Sequence, residues 1–161
     1  MKRAVVITAS NRASAGVYED RSGQILVEGL NALGYEVGPS KILPDNIEQI
    51  RNAIAGAISA GVNLVVTTGG TGVSPMDLTP EATEPLIEKF MPGILEAFRS
   101  YSREKVPTTD LSRGFAGVAS KTLIINLPGS PGAAKDGLVI IDRLASHIHD
   151  QLEGHDHSPS N

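Results

Sequence analysis

The chain contains no cysteine, which excludes disulfides, a thiolate nucleophile and cysteine metal knuckles. Aromatic side chains are scarce at 4%, so the interior has to be built from Val, Ile, Leu and Ala. There is no excess of positive charge: the formal net charge is −4, which gives no broad attraction for nucleic acid. Long hydrophobic runs are also missing. The first apolar stretch, from Ala4 to Ala9, is far shorter than the roughly 20 residues of a membrane helix. Nothing after Met1-Lys2-Arg3 resembles a leader cleavage site. These absences make a cytoplasmic protein the expectation, with neither nucleic acid nor a membrane as partner.

What is there reads as alternating strands and helices. A chain of 161 residues suffices for one sizeable core. We therefore expect one α/β domain over residues 1–153 and a flexible tail over 154–161, where apolar periodicity stops. Ala4 to Thr8 predicts a buried strand, and the polar stretch Ser10 to Gly16 leads to a helix starting near Asp20 with Leu26, Leu30 and Leu33 on one face. Tyr35 to Leu43 predicts the next strand. Asp45 and Glu48 have the spacing of a capping box before a helix whose buried stripe is Ile47, Ile50, Ile54 and Ile58. Val62 to Val66 is a third strand, running into Thr-Thr-Gly-Gly-Thr-Gly. Thr79-Pro80 predicts a helix start, Pro92-Gly93 a further helix ending near Arg103, and Lys105 to Arg113 an irregular segment. Lys121 to Leu127 is another buried strand. The final helix is expected with Ser130 as cap, Pro131 at its first position, and Leu138, Ile141, Ala145, Ile148 and Leu152 on its apolar side. This order predicts a three-layer α/β/α arrangement around a largely parallel sheet.

The loops carry the chemistry. In residues 67–72, Gly69, Gly70 and Gly72 permit conformations and close approaches that a Cβ would obstruct, and Thr67, Thr68 and Thr71 add hydroxyls. Such a loop turns amide hydrogens toward phosphate oxygens; it also reads as a simple strand-to-helix turn. A Walker A loop is excluded because its Gly-Lys-Ser/Thr end is missing, and a dinucleotide fingerprint because Pro75 stands where its last glycine belongs. The nucleophile-elbow spacing fails around Ser74 and Ser130. Asp77, five residues past Gly72, is placed to meet phosphate through a divalent cation, or else to close a local turn. Glu81 favours a helix N-terminus, and Asp45 is either a cap or, with Asp77, a magnesium ligand. Leu-Pro-Gly-Ser-Pro-Gly, residues 127–132, offers a second amide-rich turn in which Ser130 caps a helix or contacts phosphate. Ser14 and Arg12 lie on a loop suited to an anion. The histidines at 147, 149, 155 and 157 form no convincing zinc set.

Taken together, TASNRASAGVYEDRSG, ILPD, TTGGTGVSPMDLTPEAT and LSRGFAGVASKTLIINLPGSPGA resemble the molybdenum-cofactor biosynthesis MogA/MoaB family over nearly the whole folded chain. The resemblance implies the same α/β fold and a molybdopterin adenylyltransferase that uses ATP and magnesium and releases pyrophosphate. It implies Asp45 and Asp77 as active-site acids that hold magnesium. It also places Ser14, Thr68, Gly69, Gly70, Thr71, Gly72, Glu81, Ser130 and Pro131 near bound pterin or nucleotide. A homotrimer or dimer of trimers is implied, with handover to a molybdenum-insertion protein. The family also contains binding and regulatory uses of the fold. Two positions depart from its pattern: Asn11 stands where an aspartate is expected and Met76 where a basic residue is frequent, so that Arg12 or Lys121 becomes the candidate phosphate contact.

Overall fold

The computed structural model describes residues 1–155. Of the expected tail only Gly154 and His155 are described, and the rest, His157 included, lies outside the described residues. The elements are β1 (Arg3–Ala9), α1 (Asn11–Ser14), α2 (Arg21–Ala32), β2 (Glu36–Val37), β3 (Lys41–Leu43), α3 (Ile47–Ser59), β4 (Leu64–Thr68), α4 (Thr79–Thr83), β5 (Lys89–Phe90), α5 (Pro92–Ser102), β6 (Ala116–Ala119), β7 (Thr122–Leu127) and α6 (Pro131–Leu152). Among these residues no helix is long and apolar enough to cross a membrane.

Seven strands form one sheet in the order β2-β1-β4-β7-β6-β5, with β3 also paired to β1. All pairings among β1, β2, β3, β4 and β7 are parallel, and β6 joins β7 and β5 antiparallel. Successive residues of the central strands enter opposite cores. Val6, Leu64, Val66, Leu123 and Ile125 pack with Leu26 and Leu30 of α2, Phe98 of α5 and Ile140 and Ile141 of α6. Ile7, Val65 and Ile124 pack with Ile50 and Ile54 of α3 and Ala82 of α4. A two-residue period with both faces buried makes a three-layer α/β/α sandwich.

Several local expectations shift for physical reasons. The predicted strand over 35–43 is two short strands interrupted at Gly38-Pro39-Ser40, where proline removes a ladder donor. Leu33 is not a core residue; it is the C-cap of α2 and exposed. Asp45 is not the cap of α3: Asn46 is, its Oδ1 accepting the Gln49 amide at 2.9 Å. Thr67 and Thr68 continue β4 instead of opening the loop. Thr79 does not cap α4 but begins it, after Leu78. The pair β5 and β6 has no counterpart in the sequence reading. Ser130 caps α6 as expected, accepting the Ala133 amide at 3.1 Å, with Pro131 in the first turn.

The chain path creates a switch point. From β1 it passes outward through α2 on one face to β2 and β3. It then returns through α3 on the other face to β4, on the opposite side of β1. Helices that diverge in this way leave a crevice beyond the C-terminal ends of the diverging strands.

Candidate active site

That crevice is a cavity of about 670 Å³. Its walls come from the ends of β1 (Thr8 to Ser10), the turn at Asp45, the loop 68–72 with Asp77, the segment from Val106 to Ser112, and the start of α6 from Pro128 to Ala133. The 22-residue helix α6 therefore opens its N-terminus into the cavity, where unpaired amides and the helix dipole favour negative charge. Carboxylates nevertheless dominate the lining. Glu19, Asp20, Asp45, Asp77 and Asp136 face it, against Arg21 as the one arginine or lysine among the lining residues. Two of the acids are satisfied by the protein. Asp20 accepts from Thr8 Oγ1 at 2.8 Å and from the Gly23 amide at 3.0 Å. Asp136 accepts from Ser102 Oγ and from Lys105 Nζ at 2.8 Å.

Asp45 and Asp77 are different. Freed from capping, Asp45 exchanges two hydrogen bonds with Asn11: its Oδ2 accepts the Asn11 amide at 3.2 Å, and its own amide donates to Asn11 Oδ1 at 2.8 Å. Burial pushes the Asp45 carboxyl above the ordinary carboxylate range; the Asn11 amide opposes this, and the charge of Asp77 adds to it. The two acids are thus close enough to repel. Asp77 also closes its own turn, with Oδ2 accepting the Ser74 amide at 2.9 Å. Asp77 therefore closes a local turn, as one reading expected, and its carboxylate also lines the cavity.

Between them runs the glycine loop. Gly69 and Gly70 have φ of +94° and +70°, conformations that disfavour a side chain. A Cβ on Gly69 would overlap the Ala9 carbonyl, and one on Gly70 the Thr79 hydroxyl. Four successive carbonyls are held from behind. Gly69 O accepts from Thr79 Oγ1 at 2.9 Å and Gly70 O from the Thr79 amide at 3.1 Å. Thr71 O accepts from the Arg113 amide and Gly72 O from Arg113 Nε, each at 2.8 Å. Thr71 Oγ1 is held by Ser112 Oγ at 3.1 Å. Thr68 Oγ1 donates to Pro128 O at 3.1 Å, and the Gly69 amide to Leu127 O at 3.0 Å, so this loop is stapled to the start of α6.

The family model described as a probable molybdopterin binding domain matches residues 5–146. The chain belongs to the MogA/MoaB family. It is 42% identical to the molybdopterin adenylyltransferase of Helicobacter pylori over 138 residues, covering 83% of this chain and 77% of that protein. It is 40% identical to the molybdopterin adenylyltransferase of Pyrococcus furiosus over 148 residues, 89% of this chain and 86% of that one. Among solved structures, the molybdopterin biosynthesis Mog protein of Mycobacterium ulcerans superposes with a TM-score of 0.89 at 43% identity, covering 94% of this chain and 99% of that chain.

Within this MogA/MoaB fold, Asp45, Thr68, Gly69, Gly70, Thr71, Gly72, Asp77, Ser130 and Pro131 come together on the cavity wall. Two expected site residues do not line it. Ser14 sits exposed at the end of α1, and Glu81 is exposed on α4 and ion-paired to Arg113. That pairing holds the Glu81 carboxyl below its ordinary range. Of the two basic residues considered in place of Met76, Arg12 is exposed on α1 outside the cavity lining. Lys121 lies at the opposite end of the sheet, on a second cavity. Sequence reasoning missed Arg113, which organises the loop, and Tyr18, whose hydroxyl shares a 2.7 Å hydrogen bond with Ser10 Oγ at the rim. Arg113 lay inside a motif already singled out, LSRGFAG, but its side-chain partners are 32 to 41 residues away in the chain.

Proposed function

We propose that this protein is a molybdopterin adenylyltransferase, transferring AMP from ATP to the terminal phosphate of molybdopterin with release of pyrophosphate. The observation that carries the reading is the pair Asp45 and Asp77 set on either side of an amide-rich loop in a chain of this family. A triphosphate cannot enter a wall of carboxylates unaided, because like charges repel. Asp45 and Asp77, on a lining with a single arginine, form a hard-oxygen donor set suited to Mg²⁺. Asp45 and Asp77 would hold the ion, whose charge when bound would offset that of the polyphosphate and ease departure of pyrophosphate.

The chain's own residues do the rest. With the carbonyls of residues 69–72 taken from behind, the amides of Gly70, Thr71 and Gly72 are the edge offered to phosphate oxygens. The amides at the start of α6 hold a second phosphate. Ser130 Oγ accepts the Ala133 amide, and its O–H remains a donor. The terminal phosphate oxygen of molybdopterin attacks the α-phosphorus of ATP; that P–O bond forms as the bond to pyrophosphate breaks, with no covalent protein intermediate. The residues contribute mainly position and charge stabilisation.

We place this activity in residues 1–153 of a cytoplasmic homotrimer or dimer of trimers, which passes adenylylated molybdopterin to a molybdenum-insertion protein. A second reading, a pterin-binding or regulatory member without efficient transfer, is favoured by one feature: Met76, 48% exposed beside Asp77, supplies no charge where the family often has a basic residue. Incubating the purified protein with molybdopterin, ATP and Mg²⁺ and resolving the products separates the two. Adenylylated pterin and pyrophosphate are expected; verified pterin binding with neither product would leave the binding reading.

A further inference from the structure

Arg113 joins the glycine loop, the turn after it and the start of α4. Nε donates to Gly72 O at 2.8 Å, Nη2 to Asp77 O at 2.9 Å, and Nη1 to the Glu81 carboxylate. Its backbone amide holds Thr71 O at 2.8 Å. One planar fork thus spans both ends of the 72–77 turn and ties it to the first turn of α4. The side chain is not part of the cavity wall, so its hydrogen bonds point at the protein and away from any ligand.

We infer that Arg113 is a positioning residue: by clamping Gly72 O and Asp77 O together it fixes the turn that carries the Asp77 carboxylate opposite Asp45. The inference rests on the transfer reading above and adds to it a device read from the hydrogen bonds of Arg113. Its physical need is clear. The loop is rich in glycine and relaxes readily, while two carboxylates facing one cavity have to be held in place against each other. Nothing in residues 73–76 opposes that relaxation from a core, since Val73, Ser74, Pro75 and Met76 are all exposed. A guanidinium meets three acceptors in fixed directions at once, whereas an ammonium is a point charge on a flexible stem. Glu81 completes the arrangement by holding the third arm of the fork, which explains how a residue outside the cavity can matter to it.

The test combines a structural and a kinetic readout on the full-length protein. Hydrogen exchange is followed in wild type, Arg113→Ala and Arg113→Lys, with core amides of β4 and β7 as the internal control for folding. Arg113→Lys keeps the charge and most of the bulk, so the comparison stands even where alanine disturbs the fold. In both variants the hydrogen-bonded amides of the turn, those of Ser74, Met76 and Asp77, are expected to exchange at least about tenfold faster, with the core unchanged. Transfer should fall in kcat by about 100-fold, as for a misplaced reacting group, with KM for ATP within about threefold. Added guanidinium should restore part of both readouts in Arg113→Ala and none in wild type. Loop exchange in Arg113→Lys equal to wild type would overturn the clamp. A raised KM with kcat retained would overturn positioning and make Arg113 a ligand contact. If wild type itself forms no adenylylated pterin, the transfer reading fails while the exchange arm still decides whether Arg113 holds the turn.

Discussion

At the C-terminal ends of β1, β4 and β7 lies a cavity of about 670 Å³, and near the N-terminal ends of β4 and β7 lies another of about 510 Å³, lined by Asn63, Ser120, Lys121, His149 and Glu153 among others. Their volumes are similar and their linings differ. In the second, Lys2 and Glu153 pair at 2.6 Å at the surface, and His149, 1% exposed, shares a 2.7 Å hydrogen bond with the Tyr35 hydroxyl while its Nδ1 is buried without a partner. Burial lowers the His149 pKa, with the charge of Lys2 adding, and pushes Tyr35 up to about 12, so both are neutral near pH 7. In the first, two carboxylates repel across an amide-rich loop. What separates the two is that the first sets repelling carboxylates beside an amide-rich loop and a helix N-terminus, whereas the second is neutral at its buried centre; volume does not distinguish them.

The largest way to break this contrast is Asp45→Asn. The Asp45 pKa is raised on folding, so the folded state binds its proton more tightly than the unfolded chain. Stability is therefore lost as pH rises from the unfolded value of 3.8 through the raised folded value, and the full penalty is present at pH 7. Asn accepts the same Asn11 amide without the charge. Transfer is expected to fall by about 100-fold or more, while Tm rises by about 1–3 °C. A variant that loses Tm along with activity would make Asp45 a structural residue.

Gly70→Ala sharpens the comparison from the backbone side. Its φ of +70° and the overlap with Thr79 Oγ1 predict a loss of about 1–3 kcal/mol in stability, readable by urea unfolding, and a parallel loss of phosphate binding. Unchanged stability would mean that the loop yields freely.

How much of this was legible in the sequence follows from the range of the interactions involved. The start of α6 was readable because Leu-Pro-Gly-Ser-Pro-Gly packs a breaker, a cap and a first-turn proline into six adjacent residues, each acting locally. The cap of α3 was not, because Asp45 and Asn46 are both good caps one residue apart, and the choice is made by Asn11 arriving from 34 residues away. Glycines 69 and 70 announced themselves by composition, whereas Arg113 was one of 14 basic residues until the fold brought it against the loop. The strands β5 and β6 escaped notice because two and four residues carry little periodicity, and their pairing is decided by the sheet edge they join.

At the opposite end of the sheet the effects should be smaller and confined to stability. His149 has a lowered folded pKa, so its contribution is present above the unfolded value of 6.5 and is lost as pH falls through that value toward the folded one. Tm should therefore decline from about pH 7 to about pH 5, and His149→Gln should flatten that decline without altering transfer at pH 7.5. An equally steep decline in the variant would move the effect to other groups. The smallest effect is expected for Lys121→Ala, on the second cavity: transfer and KM for ATP as in wild type. A rise in KM would return Lys121 to the phosphate site from which its position removes it.

We propose that magnesium-dependent adenylyl transfer depends on the charge of Asp77, placed after the glycine loop at the C-terminal end of the sheet. Asp77→Asn preserves the shape and an oxygen for the Ser74 amide while removing the charge that a hard cation needs. Turnover across magnesium concentrations, measured on one preparation together with folded-state spectroscopy and pterin binding, decides it. A folded Asp77→Asn variant that binds pterin and transfers little AMP at any magnesium concentration is expected; wild-type turnover at every concentration would rule out the role of its charge.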